Sequence, residues 1–456
     1  MNKNIYTLNT NKEILSFVNG IEGKLSKDDA FFYKTDFWPV IRLQLIFKII
    51  QGNQKKIDQE KRTLFLETLL NRPKIKKPIE KVNQLFITHK NYLIDINGEN
   101  YDRVMEKIIR DVSSPLILDL SDNSLKTNNN ESSFSNISIQ IFFAKILGFL
   151  LGNFLHIFQK KKLKTLERLM CIDSNYKNPI INSNSIAIRV SYIWVLSKYI
   201  TYFLKKFRID NVYQGMYYDN FGLATSLASH KEKIINNCVQ HGGQSKNNPV
   251  FGSWKILTKE GSEFLPDNFL CWDIESSKSI ESWVNLSNKH KTRIIGYGWI
   301  DLWNEELKKN HIFLDQKTIP NILITLQPSI ELKKSFLYGF IKKSNLEVNW
   351  IIRVHPRQES PEFINSLEEH FKDHENVYIK SSKDLLPALM VRSKLHITHF
   401  SSSIYEAIFC NVKSVIIDKR GLDYFYDLIE NNLLHYVDNE QDLKNLIIKM
   451  LDDENK

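Results

Sequence analysis

The sequence has few of the residues and patterns that mark metal sites, disulfides and common cofactor loops. Its 456 residues include four cysteines, Cys171, Cys238, Cys271 and Cys410. Their spacing matches no metal-binding pattern. Because the last three lie in or beside apolar segments, we predict reduced core residues of a cytosolic protein. The candidate site described below also lacks a nicotinamide fingerprint and a P-loop.

The N-terminus lacks the apolar core of a signal peptide, so we expect the protein to stay in the cytoplasm. Acidic residues are outnumbered, since 62 Lys and Arg against 52 Asp and Glu give a formal net charge of +10. Lysine is spread along the whole chain together with abundant Asn and Ile, a pattern typical of nucleotide-composition bias. We therefore expect no nucleic-acid partner.

Only one segment, 137–158, is nearly long enough and apolar enough to cross a bilayer. Four polar residues interrupt it: Gln140, Lys145, Asn153 and His156. A basic run, 159–164 (QKKKLK), follows. Spanning is therefore disfavoured. The favoured interpretation is a buried helix with a solvated basic end, and the alternative is peripheral contact through 137–164 with the inner face of the cytoplasmic membrane.

A chain of this length exceeds the size at which one hydrophobic core keeps growing, so we expect two domains. Residues 1–80 have an aromatic, helical pattern and predict a helical N-terminal extension. Residues 81–305 predict a first α/β domain with a helical insertion at about 137–207. Residues 318–456 predict a second α/β domain, with 303–319 as a candidate linker.

Strand-like segments alternate with helical ones in both predicted domains, which is typical of doubly wound parallel sheets. The predicted strands are 84–89, 115–119, 211–217, 234–240, 268–272 and 293–296, then 322–326, 350–354, 377–380, 394–398 and 414–418. The Asn- and Ser-rich segment 123–136 predicts a mobile loop, and 441–451 predicts a terminal helix.

Two strands of the second domain stop abruptly at polar residues. In parallel sheets such stops lie at the carboxyl ends of strands, where ligands bind. The first stop, in 350–357 (WIIRVHPR), supplies Arg353 and His355, whose side chains suit a phosphate or a sugar hydroxyl. Pro356 fixes the turn that aims them.

The second stop, 398–407 (THFSSSIYEA), supplies three hydroxyls that lead into a helix. Ser401, Ser402 or Ser403 can cap this helix and leave N–H groups and the positive dipole end for an anion. Glu406, one turn further, is placed to accept hydrogen bonds from a ribose. Each feature alone is an ordinary turn or cap, but together they predict a nucleotide pocket.

Five motifs extend this interpretation: 217–222 (YYDNFG), 239–244 (VQHGGQ), 265–269 (LPDNF), 353–356 (RVHP) and 401–407 (SSSIYEA). In this order, over about 84–430, they resemble bacterial capsule and lipopolysaccharide glycosyltransferases. The resemblance implies the GT-B fold, with two Rossmann-like domains facing across a cleft, the first for the acceptor and the second for a nucleotide-sugar. The His-Pro step and Ser cluster are also similar to bacterial sialyl- and Kdo-transferases, which hold a CMP-linked donor there.

Those transferases carry an acidic residue beside a glycine as their base, whereas this chain has His241 before Gly242 and Gly243. We predict His241, poised near neutral pH, as the base. Asp219 is the reserve, although Asp before Asn is also a routine helix cap. Gln240 with the two glycines predicts a phosphate or acceptor loop. The site has no Asp-x-Asp motif, so we expect no metal and no cofactor besides the co-substrate.

The expected function is transfer of a sugar, with CMP-linked Kdo or another nonulosonate as the first choice of donor, to a surface polysaccharide or lipid-linked glycan. One alternative is a CDP-glycerol-type glycerophosphotransferase, because those enzymes carry a His-Gly step as base, preceded by Trp where this chain has Gln240. Another is a non-catalytic nucleotide-sugar or glycan-binding subunit of a polysaccharide assembly complex.

Overall fold

The computed structural model describes residues 8, 10–26, 28–52, 83–89, 92–96, 98–120, 124–127, 138–171, 179–257, 259–307, 319–328 and 331–452. The chain forms two compact units. The N-terminal unit comprises Met1–Leu93 and Tyr101–Gly296, and the C-terminal unit comprises Ile94–Asn100 and Tyr297–Lys456.

The chain begins with helix α1 (Asn11–Glu22), strands β1 (Phe31–Phe32) and β2 (Thr35–Asp36), and helix α2 (Trp38–Gly52). Thr10 and Glu13 form a capping box, each side chain accepting a hydrogen bond from the other's backbone N–H, at 3.2 and 3.0 Å. Both helices contribute to the same hydrophobic core as the strands of the N-terminal unit. The described helices of the segment predicted as an N-terminal extension thus belong to that core.

Seven strands of the N-terminal unit form one sheet in the order β11-β10-β9-β8-β3-β6-β7. In chain order the strands of this sheet are β3 (Gln84–Thr88), β6 (Leu116–Asp119), β7 (Ser124–Thr127), β8 (Asn211–Gln214), β9 (Ile235–Val239), β10 (Asn268–Cys271) and β11 (Lys291–Ile294). A separate hairpin of β4 (Leu93–Ile96) and β5 (Glu99–Asp102) follows β3 in the chain, and its residues Ile94–Asn100 belong to the C-terminal unit. Only β7 runs antiparallel to its neighbour. Such parallel strands are covered on both faces, which explains why Leu85, Phe86 and Ile87 are consecutive and buried.

The helices of this unit after α2 are α3 (Glu106–Arg110), α4 (Ser138–Phe158), α5 (Lys160–Leu169), α6 (Ser183–Phe207), α7 (Asn220–Glu232) and α8 (Ile274–Val284). Helices α4 to α6 lie in the segment predicted as a helical insertion. Helix α4 packs along α6 at Gly148 and Gly152. A Cβ at either glycine would lie 2.5 Å from a Cα of α6, on Tyr192 or Ile188, so only glycine permits this approach.

The side of α4 that faces away from α6 is apolar and exposed. Phe154 is 58% exposed and Phe158 78% exposed. By length and composition, the window Ile139–Phe158 of α4 could cross a membrane, and only 17% of it is buried. The prediction that this helix is buried is therefore wrong, because only the side of α4 that contacts α6 is covered.

The C-terminal unit has one six-stranded parallel sheet in the order β14-β13-β12-β15-β16-β17. Its strands are β12 (Asn321–Thr325), β13 (Asn349–Arg353), β14 (Val377–Lys380), β15 (Leu395–Thr398), β16 (Lys413–Ile416) and β17 (Leu434–Tyr436). Its helices are α9 (Gly298–Leu302), α10 (Phe336–Lys343), α11 (Pro361–Phe371), α12 (Leu386–Met390), α13 (Ser403–Phe409), α14 (Arg420–Tyr424), α15 (Tyr426–Glu430) and α16 (Glu440–Asp452). Counted along the chain, the strand order is 3-2-1-4-5-6, which defines a doubly wound Rossmann sheet.

The predicted fold class is confirmed as two Rossmann-like parallel sheets with helices, of the kind found in GT-B proteins. All eleven predicted strands are present, most of them one to three residues shorter than predicted. Strands β7 and β17, the β4–β5 hairpin and the short β1–β2 pair in the predicted helical extension were not predicted. Strand β7 falls in the segment predicted as a mobile loop, and residues 123 and 128–136 of that segment lie outside the described residues.

Candidate functional site

The strand order of the C-terminal unit reverses between β12 and β15, and this switch point is where such sheets bind ligands. Thr325, at the end of β12, is in register with Arg353 on β13 and with Thr398 on β15. The two predicted strand stops therefore flank β12 at one edge of one sheet. The prediction that they belong to the same region is consistent with this register.

A buried hydrogen-bond network underlies this edge. The Thr325 hydroxyl lies 3.0 Å from the Ser403 hydroxyl and 2.9 Å from Nε2 of His396. Nδ1 of His396 lies 3.0 Å from the hydroxyl of Ser414. Burial lowers the pKa of His396 to about 3, so its ring is neutral at physiological pH. Ser403, predicted as a ligand residue, is thus occupied in joining α13 to the sheet.

Arg353 uses its guanidinium to fix the turn after β14. Its Nε donates to the carbonyl of Asp384 at 3.0 Å, and Nη2 donates to the carbonyl of Ser382 at 2.5 Å. Nδ1 of His355 accepts a hydrogen bond from the backbone N–H of Arg357 at 3.0 Å, so the neutral ring carries its proton on Nε2. Pro356 starts the short 3₁₀ turn Pro356–Gln358, the role predicted for it.

The serine segment before α13 divides its hydroxyls between structure and solvent. Ser401 accepts a hydrogen bond from the N–H of Ser403 at 3.3 Å. Ser402 occupies the N-cap position without a side-chain capping bond, and it is exposed. Glu406 is 6% exposed within α13. Of these residues, Ser402 presents its hydroxyl most openly.

His399 is the site residue that the sequence analysis missed. It follows β15 directly, is 4% exposed, and among the described residues neither ring nitrogen has a hydrogen-bond partner. Burial lowers its pKa to about 4, against the nearby charge of Asp418. A neutral imidazole without described partners at a switch point makes His399 a candidate ligand-binding residue. The only sequence signal was its position directly after the strand.

Arg420 covers one side of this region. It forms a two-contact ion pair with Asp418, at 2.9 and 2.6 Å, and its guanidinium carbon lies 4.4 Å from the centre of the Phe400 ring. The backbone N–H of Phe400 donates to the side chain of Gln327 at 2.8 Å. These contacts fix the chain on both sides of the switch point.

A second polar cluster lies at the carboxyl ends of β3, β8 and β9 in the N-terminal unit. Nε2 of His89 lies 3.7 Å from Oδ2 of Asp219. The hydroxyl of Tyr218 lies 2.9 Å from Nε2 of His241. The ring of Tyr92 lies 5.6 Å from that of His89 and 5.5 Å from that of His241. The structure thus brings together the two predicted base candidates with three residues that were not predicted.

Burial shifts the two base candidates in opposite directions. It lowers the pKa of His241 to about 4, helped by the charges of Arg103 and His89, so the predicted near-neutral value is not found. It raises the pKa of Asp219 to about 6, against hydrogen bonds from Gly222 and Phe221 and the charge of Arg189. Asp219 is therefore the more basic group. Its side chain is 32% exposed, whereas Oδ1 caps α7 by accepting the N–H of Gly222 at 2.6 Å, as expected of the capping alternative.

Gln240 is buried and has structural contacts. Its side-chain nitrogen donates to the carbonyl of Gly242 and to the hydroxyl of Ser276, both at 3.0 Å. Its side-chain oxygen accepts the N–H of Trp272 at 2.8 Å, and the carbonyl of Gly243 accepts from Asn248 at 2.9 Å. These bonds shape the turn that carries His241. In the part of the chain that the structure describes, His, Cys, Asp and Glu form no group of three that could hold a metal ion.

No family model and no curated protein matches the chain. Among solved structures, it is similar to the UDP-GlcNAc 2-epimerase of Methanocaldococcus jannaschii, with 15% identity, a TM-score of 0.46, and coverage of 81% of this chain and 93% of that one. The UDP-GlcNAc 2-epimerase of Neisseria meningitidis gives 12% identity, a TM-score of 0.46, and coverage of 81% and 92%. Likeness at this level assigns no function, and the fold assignment rests on the strand order of the two sheets.

Proposed function

We propose that the protein is a glycosyltransferase that moves a sugar from a nucleotide-activated donor to a polysaccharide or lipid-linked glycan. The C-terminal unit binds the nucleotide at its switch point. The observation that carries this proposal is the buried, unpartnered imidazole of His399 at that point, beside the polar ends of β13 and β15. Its ring, Nε2–H of His355 and the exposed hydroxyl of Ser402 supply hydrogen bonds for the donor.

The N-terminal unit supplies the base in this proposal. Transfer to a hydroxyl requires a group that takes its proton as the new bond forms. Asp219 suits this role because its pKa is raised to about 6 and its side chain is 32% exposed, whereas burial lowers the pKa of His241, the base first predicted, to about 4. We assign His241 to the support of Tyr218 through their 2.9 Å contact.

The proposed location is the cytoplasm, with peripheral contact at the inner face of the membrane. The exposed apolar side of α4 and the exposed Lys160 and Lys161 after it support this proposal. An apolar face flanked by cations binds anionic bilayers through both burial and charge. Sedimentation with anionic and with neutral vesicles measures it.

The donor nucleotide is expected to be CMP, because the His-Pro step and Ser cluster resemble those of CMP-sugar transferases. In a thermal-shift panel of CMP, CDP, UDP, GDP and dTDP, CMP should raise Tm most, since ligand at a hundredfold over its Kd adds about 2.7 kcal/mol. UDP is the most informative nucleotide to compare with CMP, since the two similar structures are UDP-GlcNAc 2-epimerases. A preference for UDP or GDP would eliminate CMP-linked donors, and stabilisation by CDP-glycerol with glycerol phosphate transfer would favour the glycerophosphotransferase alternative.

His399→Phe tests the donor pocket. The ring volume is nearly kept while both nitrogens are lost, so nucleotide Kd should rise about ten- to a hundredfold, the worth of a hydrogen bond to a charged phosphate. The fold should be no less stable, because the nitrogens have no partner among the described residues. Calorimetry measures the Kd, with His370→Ala, a half-buried histidine at the end of α11, as the control. Unchanged nucleotide affinity in His399→Phe would remove this residue from the site.

A further inference from the structure

A cavity of about 620 Å³ lies in the N-terminal unit between α4 and α6, beside the first residue of α7. It is lined by Lys145 and Phe149 of α4 and by Arg189 of α6, among others. No acidic side chain is among its described lining residues. Its neighbour is Asp219, whose charge acts on Arg189. This cavity is separate from the polar cluster of His89 and His241, although Asp219 adjoins both.

Arg189 gives the cavity its chemistry. Burial lowers the pKa of Arg189 to about 10, against the effect of Asp219, so the guanidinium remains charged at neutral pH. Its Nε is buried and, among the described residues, has no hydrogen-bond partner. A buried cation without a bonded anion is costly to a folded protein. Asp219 acts on Arg189 through its charge, and an anionic ligand would give Nε a hydrogen-bonded partner.

Other features around the cavity also favour an anion. Lys145 is a second, exposed cation in the lining. Two further lining groups, Oε1 of Gln44 and Oδ1 of Asn184, are buried without described partners and can accept hydrogen bonds from a protonated phosphate or a sugar hydroxyl. The first turn of α6 lines the cavity as well, and the positive end of a helix dipole attracts negative charge.

An apolar surface lies beside this polar cavity, because α4 supplies both. The exposed side of α4 consists of Phe143, Ile146, Leu147, Leu150, Phe154, Ile157 and Phe158. Their spacing of three or four residues places them on one face of the helix. Phe149 is 54% exposed and also lines the cavity, so it connects the two surfaces. A ligand with an anionic group and an apolar chain matches both.

We infer that this cavity binds the phosphate group of a lipid-linked acceptor, whose chain lies along the exposed face of α4. This inference rests on the proposed glycosyltransferase function and specifies its acceptor class. The cations pair with phosphate oxygens, Arg189 through a guanidinium whose planar donors match them. Asp219, which adjoins the cavity, is then near the acceptor as its base.

The test uses three probes on the full chain, with dodecyl chains below their critical micelle concentrations: dodecyl phosphate, dodecyl maltoside and inorganic phosphate. Calorimetry should show dodecyl phosphate binding at least about tenfold more tightly than either of the others. Arg189→Gln should weaken dodecyl phosphate binding by about ten- to a hundredfold. Lys145→Gln should weaken it less, because Lys145 is exposed. Arg168→Gln, an exposed arginine of α5, is the matched control and should bind as the natural protein does.

Three outcomes would overturn the inference. Equal binding of dodecyl phosphate by Arg189→Gln and the natural protein would show that the cavity does not hold the phosphate. Equal binding of inorganic and dodecyl phosphate would exclude the lipid chain. Dimerisation through α4 that blocks dodecyl phosphate, measured by light scattering, would make a second copy the occupant of the face. Thermal melting guards against misfolding, since Gln keeps most of the length and polarity of the Arg189 side chain and the variant should melt close to the natural protein.

Nucleotide affinity measured on the same samples separates this inference from the proposed function. Arg189→Gln should bind nucleotide as the natural protein does. If no nucleotide binds the natural protein, the glycosyltransferase proposal fails. The relative affinities for the three probes still show whether the cavity binds a phosphate attached to an apolar chain. If nucleotide binds and the probes do not discriminate, the cavity inference fails alone.

Discussion

Replacing Asp219 by Asn is expected to reduce sugar transfer by roughly 10²–10⁴, the range for losing a general base, while nucleotide Kd changes less than about threefold. Asn caps helices as well as Asp does, so the bond to Gly222 at the start of α7 is kept. The loss should therefore lie in the reaction itself. Initial rates with the donor found in the nucleotide panel, together with calorimetric Kd values, measure both quantities.

The pH dependence follows from the same carboxyl group. The base must be ionised, so transfer by the natural protein should rise with pH through about 6 and then level off. Folding raises the pKa of Asp219 from 3.8 to about 6. The stability that the protonated carboxyl contributes is therefore fully present below pH 3.8 and is lost as the pH rises through about 6. Asp219→Asn should thus be more stable than the natural protein at pH 8. The gain should be about 1–2 kcal/mol, reduced from the full pKa difference by the 32% exposure.

His241→Ala is the companion variant. It should lower transfer only about tenfold, the worth of one hydrogen bond, through loss of the contact with Tyr218. Normal turnover by Asp219→Asn combined with a large loss in His241→Ala would return the role of base to His241. Loss of nucleotide binding in His241→Ala would instead make it a donor ligand.

The sheets could be predicted from the sequence because parallel strands are short apolar runs separated by helices. Segments such as Ile322–Ile324 and Trp350–Ile352 carry this pattern within single runs of residues, and all are buried or nearly so. Strand β17 (Leu434–Tyr436) lies at the edge of its sheet and has three residues, too few for a pattern. Burial along α4 could not be read from composition, because an apolar helix looks the same whether its far side is covered or exposed.

The sequence predicts which strand ends lie at one edge of the sheet, but not the contacts that the side chains make there. Strand ends mark the edge of the sheet, and register then brings Arg353 and Thr398 to either side of Thr325. Whether a side chain at this edge already has hydrogen-bond partners depends on residues distant in sequence. Arg353, for example, donates to the carbonyls of Ser382 and Asp384. The pKa of His241 depends in the same way on burial by other segments, which no local motif encodes.

The pair of Glu22 and Arg42 is another such long-range feature. Both side chains are 0% exposed, and Nε of Arg42 donates to Oε1 of Glu22 at 2.9 Å. Glu22 also accepts from Nε1 of Trp38 and from the N–H of Lys255, both at 3.0 Å. The other guanidinium nitrogens of Arg42 donate to the carbonyls of Pro249, Gly252 and Ser253. The pair therefore joins α1 and α2 to the segment after β9.

Glu22→Ala is expected to destabilise the N-terminal unit by about 3–5 kcal/mol, because it leaves the Arg42 charge buried without its partner. Urea unfolding, followed by tryptophan fluorescence, measures the loss. Glu331→Ala, which removes an ion pair whose side chains are 68 and 69% exposed, is the control and should change stability by less than about 1 kcal/mol. Equal losses in Glu22→Ala and in the control would mean that the pair contributes no more than a surface contact.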